Sequence, residues 1–290
     1  MPASRLAIVT NLNRGQVSWA NSFCDAMSQA GAEILDRPHD PERPALFIGD
    51  DIPWETIPHH HRAGYFLAAA DGTPSEARNI KMASMTSTVS SAEKIRSLHF
   101  FGDSSVHVDG FPIDFSELDR IDSDRQYKTP ILGFVGRSDT DKGPDLELEI
   151  ASIARKMGAK IVHISNTPNR IAPELEQIGA EIFKPATRSE YLSRLAMLGC
   201  VINTSPRESL YVSGIEATRL GVPVIAPHAE SSGIYDWNIE ERFFDATSPE
   251  MATSLAIALA TTKSIDTPDV SRYAANLYYD RIIANLEQAS

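Results

Sequence analysis

Arg137 and Lys142 stand five residues apart, between the apolar run Phe134-Val135-Gly136 and a helical pattern that opens near Pro144. Two cations in so short a segment, with Gly136 and Gly143 allowing close backbone approach, suit an anion such as a diphosphate. A guanidinium offers a planar fork, an ammonium a point charge, and a helix N-terminus adds amide donors. Further along, Glu208 and Glu216 flank seven residues within Pro206-Arg207-Glu208-Ser209-Leu210-Tyr211-Val212-Ser213-Gly214-Ile215-Glu216-Ala217. A carboxylate is suited to accept two hydrogen bonds from a vicinal diol such as a ribose. Both groups follow apolar runs, and the carboxyl ends of parallel strands share one rim, so cations and glutamates can serve one site. Each motif alone is also what solvated charge at a strand end looks like, and their combination carries the weight.

Short apolar runs alternate with helical patterns along the whole chain, which predicts βα units and parallel sheets. In the first half, strands are expected at 6–10, 32–35, 45–48 and 64–70. Trp19, Phe23, Ala26, Met27 and Ala30 recur at helical spacing before Gly31. A helix is expected around 76–85, and Ser90-Ser91-Ala92-Glu93 has the spacing of a capped helix start. The acidic segment 115–130 lacks a sustained apolar period and reads as a boundary. The expected organisation is an N-terminal domain over 1–115, a linker over 116–130 and a C-terminal domain over 131–270. A last helix within 271–290 is expected to pack back on the N-terminal domain. The second domain alternates strands at 131–135, 160–164, 181–183, 200–203 and 223–226 with helices at 146–157, 171–178, 189–197, 212–220 and 248–261. Glu208 is expected near the start of the helix that carries Glu216, where the dipole favours a carboxylate.

With 290 residues, 42% of them apolar and 23% charged, the chain has room for two ordinary cores and reads as folded throughout. A net charge of -12 disfavours nucleic-acid phosphates as partners. No apolar run reaches the ~20 residues of a membrane span or resembles a secretory leader, so a cytoplasmic location is expected. Cys24 and Cys200, isolated and without a motif, read as thiols in a reducing compartment.

The string 131–150, the two glutamates and the trailing Gly221-Val222-Pro223-Val224-Ile225-Ala226 occur in an order and spacing that resembles the C-terminal domain of family 4 retaining glycosyltransferases. The resemblance covers roughly 131–233 and implies the GT-B fold, an α/β architecture of two Rossmann-like domains facing each other across a cleft. It implies an enzyme that moves a sugar, without a metal or other cofactor, from a nucleoside-diphosphate sugar, with UDP-sugar favoured, to a hydroxyl-bearing acceptor. Arg137 and Lys142 match the family's diphosphate pair, Glu208 the glutamate beside the transferred sugar, and Glu216 the glutamate on the ribose. The resemblance places Gly136 and the amides of Ser209, Leu210 and Tyr211 at the donor, Phe183 and Lys184 beside the base, and Gly15 in a flexible N-terminal loop.

Two departures bear on specificity. Ser209-Leu210-Tyr211 replaces the family's frequent Gly-Phe-Gly, which makes a bulkier rim. Where many members place a histidine near the reacting carbon, this chain has Ala68-Ala69-Ala70-Asp71-Gly72, with Asp71 as the polar candidate and a turn cap as its plainer reading. The pairs Asp122/Asp124 and Asp139/Asp141 have a metal-binding form but fall in the linker and the phosphate loop, so metal is not expected. His59-His60-His61 reads as a solvated loop, and Met82 and Met85 as packing residues. Competing functions are an epimerase or hydrolase of nucleotide-sugars and a non-catalytic nucleotide-sugar binding module. Nucleic acid enters only as a modified-base acceptor.

Overall fold

Short, mostly apolar segments of two to five residues pair side by side in two separate parallel sheets, and among the described residues all but two of the twelve strands are at least three residues long. The structure is a computed structural model and describes residues 6–10, 18–35, 44–49, 52, 54–57, 63–102, 106–121, 129–167, 169–229, 232–263 and 265–289. The chain divides into two compact units, Met1–Asp114 with Ser271–Ser290, and Phe115–Val270.

Unit 1 contains β1 (Ala7–Thr10), α1 (Ser18–Gln29), β2 (Glu33–Leu35), β3 (Ala45–Ile48), β4 (Ala63–Leu67), α2 (Pro74–Met82), β5 (Met85–Thr88), α3 (Ser91–Phe101) and β6 (His107–Val108). The strand order is β2-β1-β3-β4-β5-β6. Nearly every residue of β1, β3, β4 and β5 is buried, as a parallel sheet covered on both faces requires. Local chemistry sets the helix ends. Thr73 and Glu76 form a capping box with Pro74 in the first turn of α2. Ser90 caps α3, and Gly102 ends it in the left-handed conformation at φ 67°. The helix expected over 76–85 stops at Met82, because Ala83 is extended and the Ser84 amide donates to Ala63 O of β4. Met85 therefore opens a strand, where pairing with the sheet outweighs helical continuation.

Unit 2 contains β7 (Ile131–Val135), α4 (Pro144–Lys156), β8 (Lys160–Ile164), α5 (Ala172–Gln177), β9 (Glu181–Phe183), α6 (Arg188–Ala196), β10 (Cys200–Ile202), α7 (Val212–Arg219), β11 (Val224–Pro227), β12 (Phe243–Phe244) and α8 (Pro249–Thr261). Its strand order is β12-β11-β10-β7-β8-β9. Leu132, Phe134, Cys200, Ile202 and Ile225 pack against Ile150, Ala151 and Ala154 of α4 and the alanine stripe Ala252, Ala256 and Ala260 of α8. Small residues let these layers approach closely. A Cβ on Gly133 of β7 would stand 2.2 Å from a Leu198 methyl. Phe115 and Leu118, in the segment leading to β7, are buried, and Arg219 of α7 bonds both oxygens of Asp119 at 2.7 and 2.9 Å.

The last helix, α9 (Ala275–Gln288), belongs to unit 1 and inserts Tyr278, Ile282 and Leu286, all fully buried. Phe23 meets Phe66, Phe111 and Tyr278 at centroid distances of 4.6, 5.5 and 5.8 Å, so one aromatic cluster ties α9 to α1 and β4. The buried Tyr278 hydroxyl has its pKa pushed well up, first by desolvation and then by the Asp109 carboxylate. Cys24 and Cys200 are buried thiols outside any disulfide.

Candidate functional site

In the second sheet β7 lies between β8 and β10, and the chain leaves it in opposite directions on its two sides. The crevice at such a switch point opens between the loops that follow the two central strands. Here those are the loops over 136–143, after β7, and 203–211, after β10. They are stitched together: Thr204 Oγ1 donates to Lys142 O at 2.9 Å, and Ser205 Oγ to Asp141 O at 3.0 Å. Gly143, at φ +66°, makes the approach possible, since a Cβ there would stand 2.1 Å from Thr204 O.

Across this seam Lys142 Nζ lies 3.0 Å from Glu208 Oε1, which also accepts from Asn203 Nδ2 at 3.4 Å. The Glu208 backbone is fixed by the Gly233 amide, which donates to its carbonyl at 2.8 Å. Arg137 is more exposed and pairs with Asp139, while Asp141 Oδ2 lies 3.7 Å from Lys142 Nζ. Gly136, at φ +132°, donates its amide to Ile164 O at 3.0 Å. The loops thus join Lys142 to Glu208, with Arg137 at the same strand end.

Glu208 does not sit at the start of the helix. It precedes α7 by four residues, because Tyr211 holds the helix cap in the left-handed region at φ 63°. Tyr211 is the one non-glycine residue among those described with a positive φ. Packing sustains the strain. A Cβ on Gly214 would stand 2.4 Å from Tyr211 Cδ1 and 2.8 Å from Trp237 Cη2, so glycine leaves room for both rings. Tyr211 donates its hydroxyl to Val135 O at 3.3 Å, and Trp237 Nε1 donates to Leu210 O at 2.9 Å. Burial, then the carboxylates of Glu208 and Glu147, push the Tyr211 pKa far up, so the phenol stays a neutral donor. Ser209 is half-buried and Leu210 buried in the same turn.

Glu216, inside α7, is held separately. Its Oε1 accepts from Arg188 Nη2 at 2.5 Å and its Oε2 from the Tyr191 hydroxyl at 2.9 Å. Both partners lie on α6, which Thr187 and Glu190 start with a capping box. Burial alone would lower the Arg188 pKa, but the Glu216 carboxylate raises it above its ordinary value. Desolvation and then Glu216 raise that of Tyr191. Of the expected base-side pair, Phe183 is half-buried under the Arg194 guanidinium, 5.5 Å from its ring centroid, and Lys184 is exposed.

A third group has no counterpart in the sequence reading. Ser138, His163 and Glu147 are each at most 4% exposed. His163 Nδ1 lies 2.6 Å from Glu147 Oε1, and its Nε2 lies 3.5 Å from Ser138 Oγ. The cluster ties the loop carrying Arg137 to α4 and β8. Its signal was an ionisable residue at a core position in two adjoining elements: Glu147, one turn before Ile150 and Ala151, and His163 within an apolar strand.

In unit 1, Asp71 is exposed on a loop whose backbone two buried glutamates hold. Glu93 accepts the Ala70 amide at 2.8 Å, and Glu76 accepts those of Asp71 and Thr73 at 3.2 and 2.9 Å. The cap of α2 is Thr73 rather than Asp71. Gly15, His59-His60-His61 and the pair Asp122 and Asp124 lie outside the described residues. Among those described, no cluster of three or more His, Cys, Asp or Glu side chains is placed to hold a metal, and no helix is long and apolar enough to cross a membrane.

Two doubly wound parallel sheets, one with basic and acidic loops meeting at its switch point, make the architecture of GT-B glycosyltransferases, and the chain has that fold. TarM superposes with a TM-score of 0.63 at 15% identity, over 87% of this chain and 53% of its own. The lipopolysaccharide outer core galactosyltransferase WaaB gives 0.69 at 11% identity, over 98% of this chain and 99% of that one. AviGT4, a glycosyltransferase involved in avilamycin A biosynthesis, gives 0.65 at 14% identity, over 98% and 97%. The chain thus spans about half the length of TarM and nearly all of WaaB and AviGT4. No family model and no curated protein matches the sequence.

Proposed function

We propose that the protein is a retaining glycosyltransferase that takes a sugar from a nucleoside-diphosphate sugar, UDP-sugar above others, and transfers it to a hydroxyl acceptor without a metal. The observation that carries this reading is the Lys142 to Glu208 contact of 3.0 Å at the switch point of the second sheet. A diphosphate there takes Lys142 and Arg137 as counter-charges, and Glu208, relieved of Lys142, accepts hydroxyls of the sugar. Glu216 accepts from the ribose. The solved-structure neighbours lend support by what they contain or are named for: a mutant of S. aureus TarM has been seen with UDP and alpha-GlcNAc-glycerol, and WaaB is named as a galactosyltransferase.

In the transfer, the bond from the anomeric carbon to the β-phosphate oxygen breaks while the acceptor oxygen bonds to that carbon from the same face. The acceptor proton passes to the departing phosphate, leaving a nucleoside diphosphate and a glycoside. Charge grows on the leaving oxygen, and fixed cations lower the barrier where it grows. Asp71, on its pinned loop in unit 1, is the proposed polar group toward the acceptor. Two thiols outside any disulfide fit a cytoplasmic setting.

The test is turnover of UDP-, GDP- and ADP-sugars with and without hydroxyl acceptors, in excess chelator. Acceptor-dependent release of nucleoside diphosphate with an unchanged anomeric configuration is expected. Free sugar or an isomerised donor without acceptor would make the protein a hydrolase or an epimerase. Binding without turnover would make it a binding module, and activity restored only by magnesium or manganese would overturn metal independence.

A further inference from the structure

Glu216, the proposed ribose acceptor, already has both carboxylate oxygens engaged, by Arg188 at 2.5 Å and Tyr191 at 2.9 Å. The Glu216 side chain is 5% exposed, whereas that of Arg188 is 44% exposed, so the guanidinium is the partner on its solvent side. Arg188 also has a second carboxylate in reach, since its Nε lies 3.7 Å from Glu117 Oε2 on the segment leading to β7. Its guanidinium lies 5.3 Å from the Tyr191 ring centroid, over the ring. One cation therefore sits between two carboxylates, one buried and one exposed.

We infer that Arg188 is a nucleotide-recognition residue that covers Glu216 and is displaced by the ribose diol, passing to Glu117 when a nucleotide binds. The inference rests on Glu216 as the ribose residue. Its physical basis is that a diol donating to a nearly buried carboxylate must come from the side the guanidinium occupies, while Tyr191 stays to fix the other oxygen. Tyr191, with its pKa raised well above the ordinary phenol value, remains a donor throughout. A displaced arginine keeps a counter-charge at Glu117, which makes the exchange one ion pair for another plus the two hydroxyl donations. Glu117 is 52% exposed, so that second pair is the more screened of the two. A single hydroxyl displaces a charged fork less well than a diol does, so a 2′-deoxynucleotide leaves Arg188 in place and has less to gain from its removal.

The experiment is calorimetric titration of UDP, GDP and ADP, and of the 2′-deoxy form of the tightest binder, into wild type and five variants, four single and one double, whose folding is checked by thermal melting. Arg188→Met is expected to tighten ribonucleotide binding about fivefold, the size of a partly screened ion pair, and 2′-deoxynucleotide binding less. Arg188→Lys, which keeps the charge and loses the fork, should give a smaller gain in the same direction. Glu117→Gln should weaken binding, and should do nothing when Arg188 is already methionine. If Glu216→Gln weakens binding while Arg188→Met leaves it unchanged or weaker, the displacement is wrong and the ribose assignment survives. If Glu216→Gln leaves all three nucleotides unaffected, the ribose assignment itself falls.

Discussion

Lys142 and Glu208 solvate each other: Nζ stands 3.0 Å from Oε1, with the two side chains 22% and 11% exposed. They come from loops 66 residues apart in sequence, joined by Thr204 and Ser205 bonding the backbone of the facing loop. A partly buried pair of this kind costs more to break on one side than to remove whole, because the remaining charge is left without a partner. Site and stability are therefore coupled at this point.

Lys142→Met is expected to destabilise unit 2 by about 1–3 kcal/mol, through the unpaired Glu208. The double variant with Glu208→Gln should recover part of that loss. Thermal unfolding of the single and double variants measures the coupling, and simple additivity would mean that the pair is not a unit.

The two glutamates should separate in kinetics. Glu208, beside the sugar where charge changes during reaction, gives a Glu208→Gln variant that loses kcat more than donor affinity. Glu216 acts equally on bound donor and transition state, so Glu216→Gln should raise KM and spare kcat. Single-turnover rates with donor titration decide this, and reversed phenotypes would exchange the roles.

Tyr211 occupies a left-handed backbone that costs a bulky residue on the order of 1 kcal/mol, and its buried ring more than offsets that cost. Tyr211→Gly should therefore destabilise, by roughly 2 kcal/mol net, despite relieving the strain. Gly214→Ala, whose Cβ would press on Tyr211 at 2.4 Å, should destabilise wild type by roughly 1–3 kcal/mol. It should cost less beside Tyr211→Gly. Equal penalties in both backgrounds would show that Trp237 rather than Tyr211 sets the requirement for glycine.

Much of this fold was legible because parallel strands buried on both faces leave continuous apolar runs such as Ile131–Val135, and capped helices announce themselves, as Ser90 to Glu93 does. Strands β6 and β12 have two residues each, too few to show a period. Strand β5 is not marked in the sequence as a strand, because only Met85 of Met85-Thr86-Ser87-Thr88 is apolar, and pairing with β4 decides its state. At the site, the cations and glutamates could be read from their spacing. Their partners could not, because Arg188, Tyr191 and Asn203 reach them only through tertiary contact. The left-handed Tyr211 cap, which moves Glu208 off the helix, is likewise a product of packing against Gly214 and Trp237.

The buried pair of His163 and Glu147 should behave as a unit. His163→Phe leaves a carboxylate 4% exposed with its imidazole partner gone, and is expected to destabilise by about 3 kcal/mol or more. Replacing both, by His163→Leu with Glu147→Leu, should cost less, since apolar pairs of similar volume are tolerated in such positions. Denaturant unfolding tests this, and a double variant worse than His163→Phe would show that the pair contributes net stability.

The last prediction concerns acid. Arg219, donating two hydrogen bonds to Asp119, holds that carboxyl below its ordinary pKa of 3.8. A carboxyl depressed in the folded state adds stability that is present above the unfolded pKa and is lost as pH falls through the folded value. Both side chains are more than a third exposed, so solvent and salt screen the pair and its contribution is at most about 1 kcal/mol. Asp119→Asn should therefore be slightly less stable than wild type at neutral pH and converge on it in acid, once wild-type Asp119 is itself protonated. Salt should narrow the neutral-pH gap. Because this pair fastens the segment carrying Glu117 to α7, which carries Glu216, the same substitution should also weaken nucleotide binding at neutral pH and leave kcat unchanged. Thermal melts across pH with nucleotide titration at neutral pH would check both arms. A stability gap that persists at a pH well below the ordinary carboxyl value would show that the loss comes from packing of the asparagine rather than from the ion pair.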